Sequence, residues 1–188
     1  THVGIVRQLI ERFIDPALTE RLDLNNMETT PTDFTAEGLA RREGDLLWKI
    51  PIIGQDLPLY VFVWLELQSW PDPKMPVRLM SYILLFYEQL LTQKPDYIQH
   101  GLPLVLPVVL YNGSKPWNVP LRLEELYAPD PSAARVSYRI EGGYYLIRVH
   151  GYSKEQLEQL NTSLATLFLV EKAAPEQINA LLELLIAQ

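Results

Sequence analysis

Three side chains with oxygen ligands are spaced so that they could hold a metal ion. Glu66 and Gln68 stand two positions apart at the end of the apolar run LYVFVWLELQ, residues 59–68. Residues two apart on a strand face the same way, and the rest of their face is aromatic. A carboxylate at the end of so apolar a strand must be compensated, because burying an unpaired charge is expensive. Asp45 opens the preceding strand-like run, DLLWKIPII.

The pairing of these two runs decides whether the three residues meet. If they form an antiparallel hairpin around residues 54–57, Asp45 lies opposite the end that carries Glu66 and Gln68. Two carboxylates and an amide oxygen then converge, and such ligands suit Mg²⁺ or Mn²⁺. The alternative is that Glu66 is a hydrogen-bonded structural acid and Asp45 only begins a strand. The residues alone leave both open.

The elements that must position this set are those of a mixed α/β domain whose central sheet is covered by helices. Strand patterns cover residues 27–34, 45–53, 59–68, 104–111 and 144–150. Helical periodicity and caps cover residues 2–14, 17–22, 75–91, 153–171 and 176–187. Residues 114–143 predict a loop with a helical piece at 123–126. Pro107 fits its strand only at a bulge or an unpaired edge position.

Bulk composition bounds the class of protein. A length of 188 residues, 48% of them hydrophobic, predicts one domain over 1–188, with a core at about 27–150 and C-terminal helices at about 153–187. The chain has no cysteine, which excludes thiolate metal sites and fits a reducing cytoplasm. No apolar run approaches the roughly 20 residues that span a bilayer, so we expect no membrane partner. The net charge of −7 argues against a basic DNA-coating protein but not against an enzyme with a local basic patch.

Three segments carry a family resemblance: GDLLW, LELQSWPDPKMPVRLMSYILLFYEQ and LPLVLPVVLYNGSKPWNVP. They resemble the family of recombination-promoting nucleases and transposase-like proteins, which belongs to the PD-(D/E)XK nuclease superfamily. The resemblance covers about residues 27–150. It implies an α/β fold with a restriction-endonuclease-like core, a central mixed sheet flanked by helices. It also implies a Mg²⁺- or Mn²⁺-dependent DNA endonuclease that hydrolyses phosphodiester bonds with little sequence specificity.

The resemblance also implies roles for the three residues. In the superfamily, a first Asp and the acid of an E/D-x-K pair bind Mg²⁺, and the Lys assists the attacking water. Asp45 and Glu66 match the two acids, and Gln68 stands at the Lys position. An amide can accept a metal contact or orient a water, but it carries no charge. We therefore look for a positive charge elsewhere in the chain that could replace the Lys.

Arg78 is the candidate for that cation. Lys74, Arg78, Ser81 or Tyr82, and Gln89 fall on one stripe of the helix predicted over 75–91. We expect Arg78 to contact a phosphate and Tyr82 to belong to the core. The alternative for Arg78 is that its side chain extends along the surface into solvent.

Two other functions stay open beside the nuclease. A catalytically silent, nuclease-like scaffold could serve as an interaction or dimerisation module, and the negative charge and Gln68 favour it. A hydrolase that uses a carboxylate pair on sugars is the third, supported by the two acids alone. The expected partner is DNA, and a homodimer stays open.

Overall fold

The computed structural model describes residues 2–30, 46–66, 70–128 and 141–173, with the backbone alone at His2, Leu46 and 64–66. The part of the predicted first strand at 31–34 and the helix predicted over 176–187 lie outside these residues.

The sheet has five strands in the order β1-β2-β3-β4-β5. They are β1 Glu28–Thr30, β2 Leu46–Ile50, β3 Leu59–Glu66, β4 Leu104–Tyr111 and β5 Tyr145–Arg148. The pairs β1–β2 and β2–β3 are antiparallel, whereas β3–β4 and β4–β5 are parallel. The predicted mixed sheet and the hairpin of the second and third strands are therefore confirmed.

Helices cover both faces of the sheet. They are α1 His2–Phe13, α2 Pro16–Thr19, α3 Met75–Gln93, α4 Tyr97–His100, α5 Lys154–Leu160 and α6 Ser163–Lys172, with short 3₁₀ helices at Leu24–Asn26, Leu123–Leu126 and Val149–Gly151. α1 ends before Pro16, which cannot continue it and instead begins α2, capped by the Asp15 side chain.

The side chains of each strand alternate between two cores. On what we call the three-helix face, Val61, Val63, Val108 and Ile147 pack in one cluster with buried residues of α1, α5 and α6. On the opposite side, the α3 face, Tyr60, Phe62 and Val109 pack with Met75, Leu79, Tyr82 and Phe86 of α3. Strands β2, β3 and β4 thus bury apolar side chains on both of their sides, as expected when helices cover both faces of a sheet.

Pro107 lies inside β4 without disturbing the sheet. Its Cα partner in β3 is Phe62, but β5 begins to pair with β4 only at Val108. Pro107 therefore occupies a position where one side of β4 is not paired with β5, and its missing N–H leaves the β4–β5 ladder intact.

The single helix predicted over 153–171 is wrong. Two helices occupy the segment, because Asn161 ends α5 in the left-handed conformation with φ of 44°. Thr162 then begins α6, its side chain accepting a hydrogen bond from the backbone N–H of Ala165. The predicted cap at Ser153 is confirmed as a full capping box with Gln156.

Within the described ranges, no helix combines the length and the apolar character that crossing a membrane requires.

Candidate active site

The carboxyl ends of the parallel strands meet at one edge of the sheet. The last residues of β3, β4 and β5 are register partners in the order Glu66, Tyr111 and Arg148. β2 starts at the same edge, since Leu46 is the partner of Val63, three residues before Glu66. In open α/β sheets, ligands bind outside the carboxyl ends of the strands. We call this edge the carboxyl edge.

Of the three predicted metal ligands, the structure describes one, Glu66, by its backbone. Glu66 is the last residue of β3, as its place in the apolar run predicted. Asp45, which precedes β2 in the sequence, and Gln68 lie outside the described residues. Elsewhere in the described ranges, no three His, Cys, Asp or Glu side chains gather as a metal site. The convergence of the three ligands stays a prediction.

α3 runs antiparallel to β3, which fixes the level of Arg78. The Phe86 ring lies 4.8 Å from the Tyr60 ring, and the Tyr82 ring lies 6.1 Å from the Phe62 ring. Each step of four residues back along the helix, about 6 Å, thus matches a step of two residues forward along the strand, about 6.6 Å. Four residues further back along α3, Arg78 is level with position 64 of β3. This position lies two residues, about 6.6 Å, before Glu66.

Arg78 is held by an acid that the sequence patterns did not single out. Its guanidinium forms an ion pair with the Asp72 carboxylate, and the two side chains are only 21% and 18% exposed. The other carboxylate oxygen of Asp72 accepts a hydrogen bond from the Lys74 backbone N–H at 2.9 Å. Arg78 therefore does not extend freely into solvent. Its positive charge is kept at the start of α3 but is partly balanced.

Tyr82 belongs to the core, as predicted. Its side chain is 6% exposed and its ring stacks on Phe62 between α3 and β3. It packs one helical turn from Arg78 and helps to hold that part of α3 against the sheet.

Buried Tyr111 shapes the loop that follows β4. Its hydroxyl donates a hydrogen bond to the Lys115 carbonyl oxygen at 3.0 Å, and its ring contacts Trp117 edge-on at 4.9 Å. The loop passes so close that a Cβ at Gly113 would overlap the Tyr111 hydroxyl. Only glycine fits there. Because Tyr111 is the register partner of Glu66, the loop is fixed relative to the end of β3.

Tyr144 precedes β5 and packs edge-on against the Trp117 ring. Its hydroxyl donates to the Pro120 carbonyl oxygen at 2.9 Å. Burial raises the pKa of Tyr144, and the negative charges of Glu125 and Asp72 raise it further. The phenol therefore holds its proton more tightly than an exposed tyrosine does.

A cavity of about 430 Å³ opens beside β5 at this edge. Its lining includes Trp117, Tyr144 and Arg148, and Arg148 is an exposed cation. Exposed Lys74 and Lys115 stand with Arg148 near the carboxyl edge, where the acids Glu66 and Asp72 also lie.

Comparison with known proteins decides the family. The model of the family described as "Putative transposase, YhgA-like" matches residues 1–187. The chain belongs to this family. The match extends over almost the whole sequence, so the family resemblance expected from three internal segments is confirmed and widened to both ends.

Curated members of related sequence carry nuclease names. The chain is 31% identical over 144 residues to the recombination-promoting nuclease RpnD of Escherichia coli O157:H7, covering 73% of this chain and 51% of that protein. It is 32% identical over 112 residues to the recombination-promoting nuclease RpnC of Escherichia coli K12, covering 60% of this chain and 35% of that protein. The chain thus spans about half, or less, of the length of these two relatives. No solved structure matches it.

One relative in the same comparison carries a different description. The chain is 32% identical over 82 residues to "Putative inactive recombination-promoting nuclease-like protein YjiP" of Escherichia coli K12, covering 44% of this chain and 78% of that protein. Relatives of this chain are therefore named both as nucleases and as an inactive nuclease-like protein, and membership alone does not decide between activity and silence.

Proposed function

We propose that the chain is a metal-dependent DNA endonuclease domain that hydrolyses phosphodiester bonds with little sequence specificity, in a process linked to recombination or transposition. The observation that carries the proposal is the position of Glu66 as the last residue of β3, beside the start of β2, at the edge where open sheets bind ligands. The nuclease names of two relatives support the same chemistry.

Asp45, Glu66 and Gln68 are the residues that would hold Mg²⁺ or Mn²⁺. The donor set fits these ions, because two carboxylates and an amide oxygen are hard ligands that suit small divalent cations. The strand arrangement fits as well, since β2 begins and β3 ends at the same edge. A bound ion would supply Lewis-acid activation of the phosphate and a lowered pKa for a water.

Arg78 would replace the charge that the superfamily Lys supplies. Its level on α3 brings it to the margin of the Glu66 end of β3, and Asp72 keeps the guanidinium in place. A guanidinium carries N–H donors in a planar fork whose geometry matches phosphate oxygens. In this proposal Arg78 binds the phosphate and stabilises the charge that develops on it, and Asp72 is a positioning residue.

DNA is the proposed substrate and its backbone the proposed point of contact. The cations at the carboxyl edge, Lys74, Lys115 and Arg148, stand on three different segments and could each neutralise a phosphate. Phosphate contacts position a protein without reading sequence, which accords with low sequence specificity.

A plasmid assay tests the proposal. The chain should nick or degrade plasmid DNA with Mg²⁺ or Mn²⁺, and a chelator should stop it. Asp45→Ala should remove cleavage while the melting temperature stays similar or rises, since one carboxylate is removed from a crowded site. Cleavage that survives both Asp45→Ala and Glu66→Ala would reject this site.

The second candidate is a silent nuclease-like scaffold that acts as an interaction or dimerisation module. It is favoured by the relative named as inactive and by the uncharged Gln68. Calorimetric titration with Mn²⁺ separates the two functions. The endonuclease should bind Mn²⁺ in a manner that Glu66→Ala weakens, whereas the scaffold should give no heat that depends on Glu66.

A further inference from the structure

An exposed tryptophan stands beside the carboxyl edge. Trp70 is 66% exposed, although it follows β3 by only a few residues, in the segment that leads to α3. Tryptophan buries a large apolar area when it can, so a mostly exposed indole at a proposed active site lacks a structural explanation. Such a flat apolar surface is suited to stacking against another planar group.

A lysine from a different loop covers one part of this indole. The Lys115 ammonium lies 4.8 Å from the centroid of the Trp70 ring, within the range of a cation–π contact. Trp70 follows β3 and Lys115 follows β4, so the pair joins the two loops that leave the parallel strands at this edge. A positive charge is thereby placed over the plane of the aromatic ring.

Buried Tyr111 fixes the Lys115 loop. The Tyr111 hydroxyl donates a hydrogen bond to the Lys115 carbonyl oxygen, and Tyr111 of β4 is the register partner of Glu66 in β3. The Trp70–Lys115 pair is therefore tied to the strand end that the proposed function uses.

We propose that Trp70 and Lys115 form a nucleotide-binding subsite for an unpaired base next to the cut phosphate, with Trp70 stacking on the base and Lys115 neutralising a neighbouring phosphate. This inference rests on the proposed nuclease function and adds the substrate class: DNA with a single-stranded or unpaired region at the site. Stacking on aromatic side chains is how proteins bind single strands without reading their sequence. In an intact duplex both sides of each internal base are already covered, so Trp70 has no such surface to contact.

The opposite end of α3 supplies matched controls. There, the exposed Lys94 ammonium lies 6.0 Å from the centroid of the Tyr97 ring, and Ile98 is 73% exposed. Lys94→Ala removes an exposed lysine beside an aromatic ring, as Lys115→Ala does. Ile98→Ala removes exposed apolar surface, as Trp70→Ala does.

The experiment measures fluorescence anisotropy of a labelled oligonucleotide, as a single strand and as a blunt duplex, in the presence of a chelator so that no DNA is cut. Trp70→Ala should weaken single-strand binding by about tenfold or more, because a stacked base is worth that much in affinity. Trp70→Phe should keep most of the affinity. Lys115→Ala should lower the dependence of binding on salt by about one ion. The two control variants should bind like the wild type, and duplex binding should change little in Trp70→Ala and Trp70→Phe.

Three results would overturn the subsite. The first is that Trp70→Ala binds the single strand as well as Ile98→Ala does. The second is that Trp70→Ala weakens duplex and single-strand binding equally. The third is that the wild type binds neither DNA. The plasmid assay with Asp45→Ala is read separately. If the wild type cleaves plasmid DNA but Trp70→Ala does not change single-strand binding, the subsite alone is rejected. If the wild type does not cleave with Mg²⁺ or Mn²⁺, the nuclease function is rejected.

Discussion

Along β3, the two faces of the sheet carry different kinds of side chain. On the three-helix face, which three described helices cover, Val61 and Val63 pack with Val108 and Ile147, and β2 adds the buried ring of Trp48. On the α3 face, which one long helix covers, β3 places the rings of Tyr60 and Phe62, and these pack against Tyr82 of α3. The difference lies in alternate residues of β3, which are aliphatic on one side and aromatic on the other.

The difference separates stability from chemistry. The aliphatic side chains that β3, β4 and β5 place on the three-helix face have no polar atoms that need partners, whereas Trp48 of β2 brings one buried indole N–H to it. The rings of the α3 face bring hydroxyl groups and stand below the Arg78–Asp72 ion pair, the position of Glu66 and the Trp70–Lys115 pair. Substitutions on the three-helix face should therefore change folding, whereas those at the margin of the α3 face should change DNA cleavage.

The largest effect should come from the charge at the end of β3. Glu66→Gln keeps the size of the side chain and removes one proposed metal-binding charge. We expect it to lower the rate of plasmid cleavage by about 10²- to 10³-fold, the usual cost of losing one electrostatic contact to the transition state. Urea unfolding followed by circular dichroism should show little change. A large loss of stability together with activity would mean that Glu66 is a structural acid.

The opposite behaviour is expected for Leu157 on α5, which is fully buried in the three-helix face. Leu157→Ala should reduce the free energy of unfolding by about 2–5 kcal/mol through lost transfer energy and the cavity left behind. Cleavage per folded molecule should not change. If the variant were as stable as the wild type but inactive, the division between the two faces would be incorrect.

Arg78 tests the margin of the α3 face. Arg78→Ala should lower cleavage by about 10²-fold at unchanged metal affinity, because one donor to the transition state is lost. Arg78→Lys should recover only part of this, since a point charge does not reproduce the planar guanidinium. Gln68→Lys should make Arg78 less necessary. A normal rate for Arg78→Ala, in a variant that melts like the wild type, would show that the Asp72 ion pair is purely structural.

The smallest effect concerns Tyr144 and alkaline pH. Its folded-state pKa lies above the ordinary value of 10.0 because the phenol is buried. Below pH 10 both states hold the proton, and above it only the folded state does, so stability falls as pH rises. Tyr144→Phe should make this fall less steep, by up to about 1.4 kcal/mol per pH unit. Urea unfolding at pH 9 to 11 measures how the free energy of unfolding changes with pH. An identical change in the wild type and in Tyr144→Phe would contradict the raised pKa of Tyr144.

Much of the fold followed from the sequence because its strongest patterns are local. The run at 59–68 alternates between two apolar faces, and β3 occupies Leu59–Glu66. The helix predicted over 153–171 failed because its apolar spacing continues across a residue that leaves the helical conformation. The Asn161-Thr162 pair was the available signal, since Asn tolerates the left-handed region and Thr caps helices.

The site was less accessible to sequence reasoning. Alternation along one strand was enough to place Glu66 at the strand end. The partner of Arg78 was not predictable in this way, because Asp72 precedes the helix and meets Arg78 through a turn rather than through helical spacing. Trp70 and Lys115 are 45 positions apart in the sequence and meet only because β3 and β4 are parallel neighbours. Such pairs depend on topology, which single-sequence patterns do not contain.

The proline in β4 also bears on how the molecule behaves in a crowded solution. The first half of β4 is apolar, and β5 leaves that side unpaired until Val108. An open apolar strand edge invites a strand from another molecule to add to the sheet, which is a common route to aggregation. An added strand would begin beside Leu104, which is 65% exposed, and would reach Pro107 three residues further on. Pro107 is buried and has no N–H to donate, so such an addition is limited to the first residues of β4.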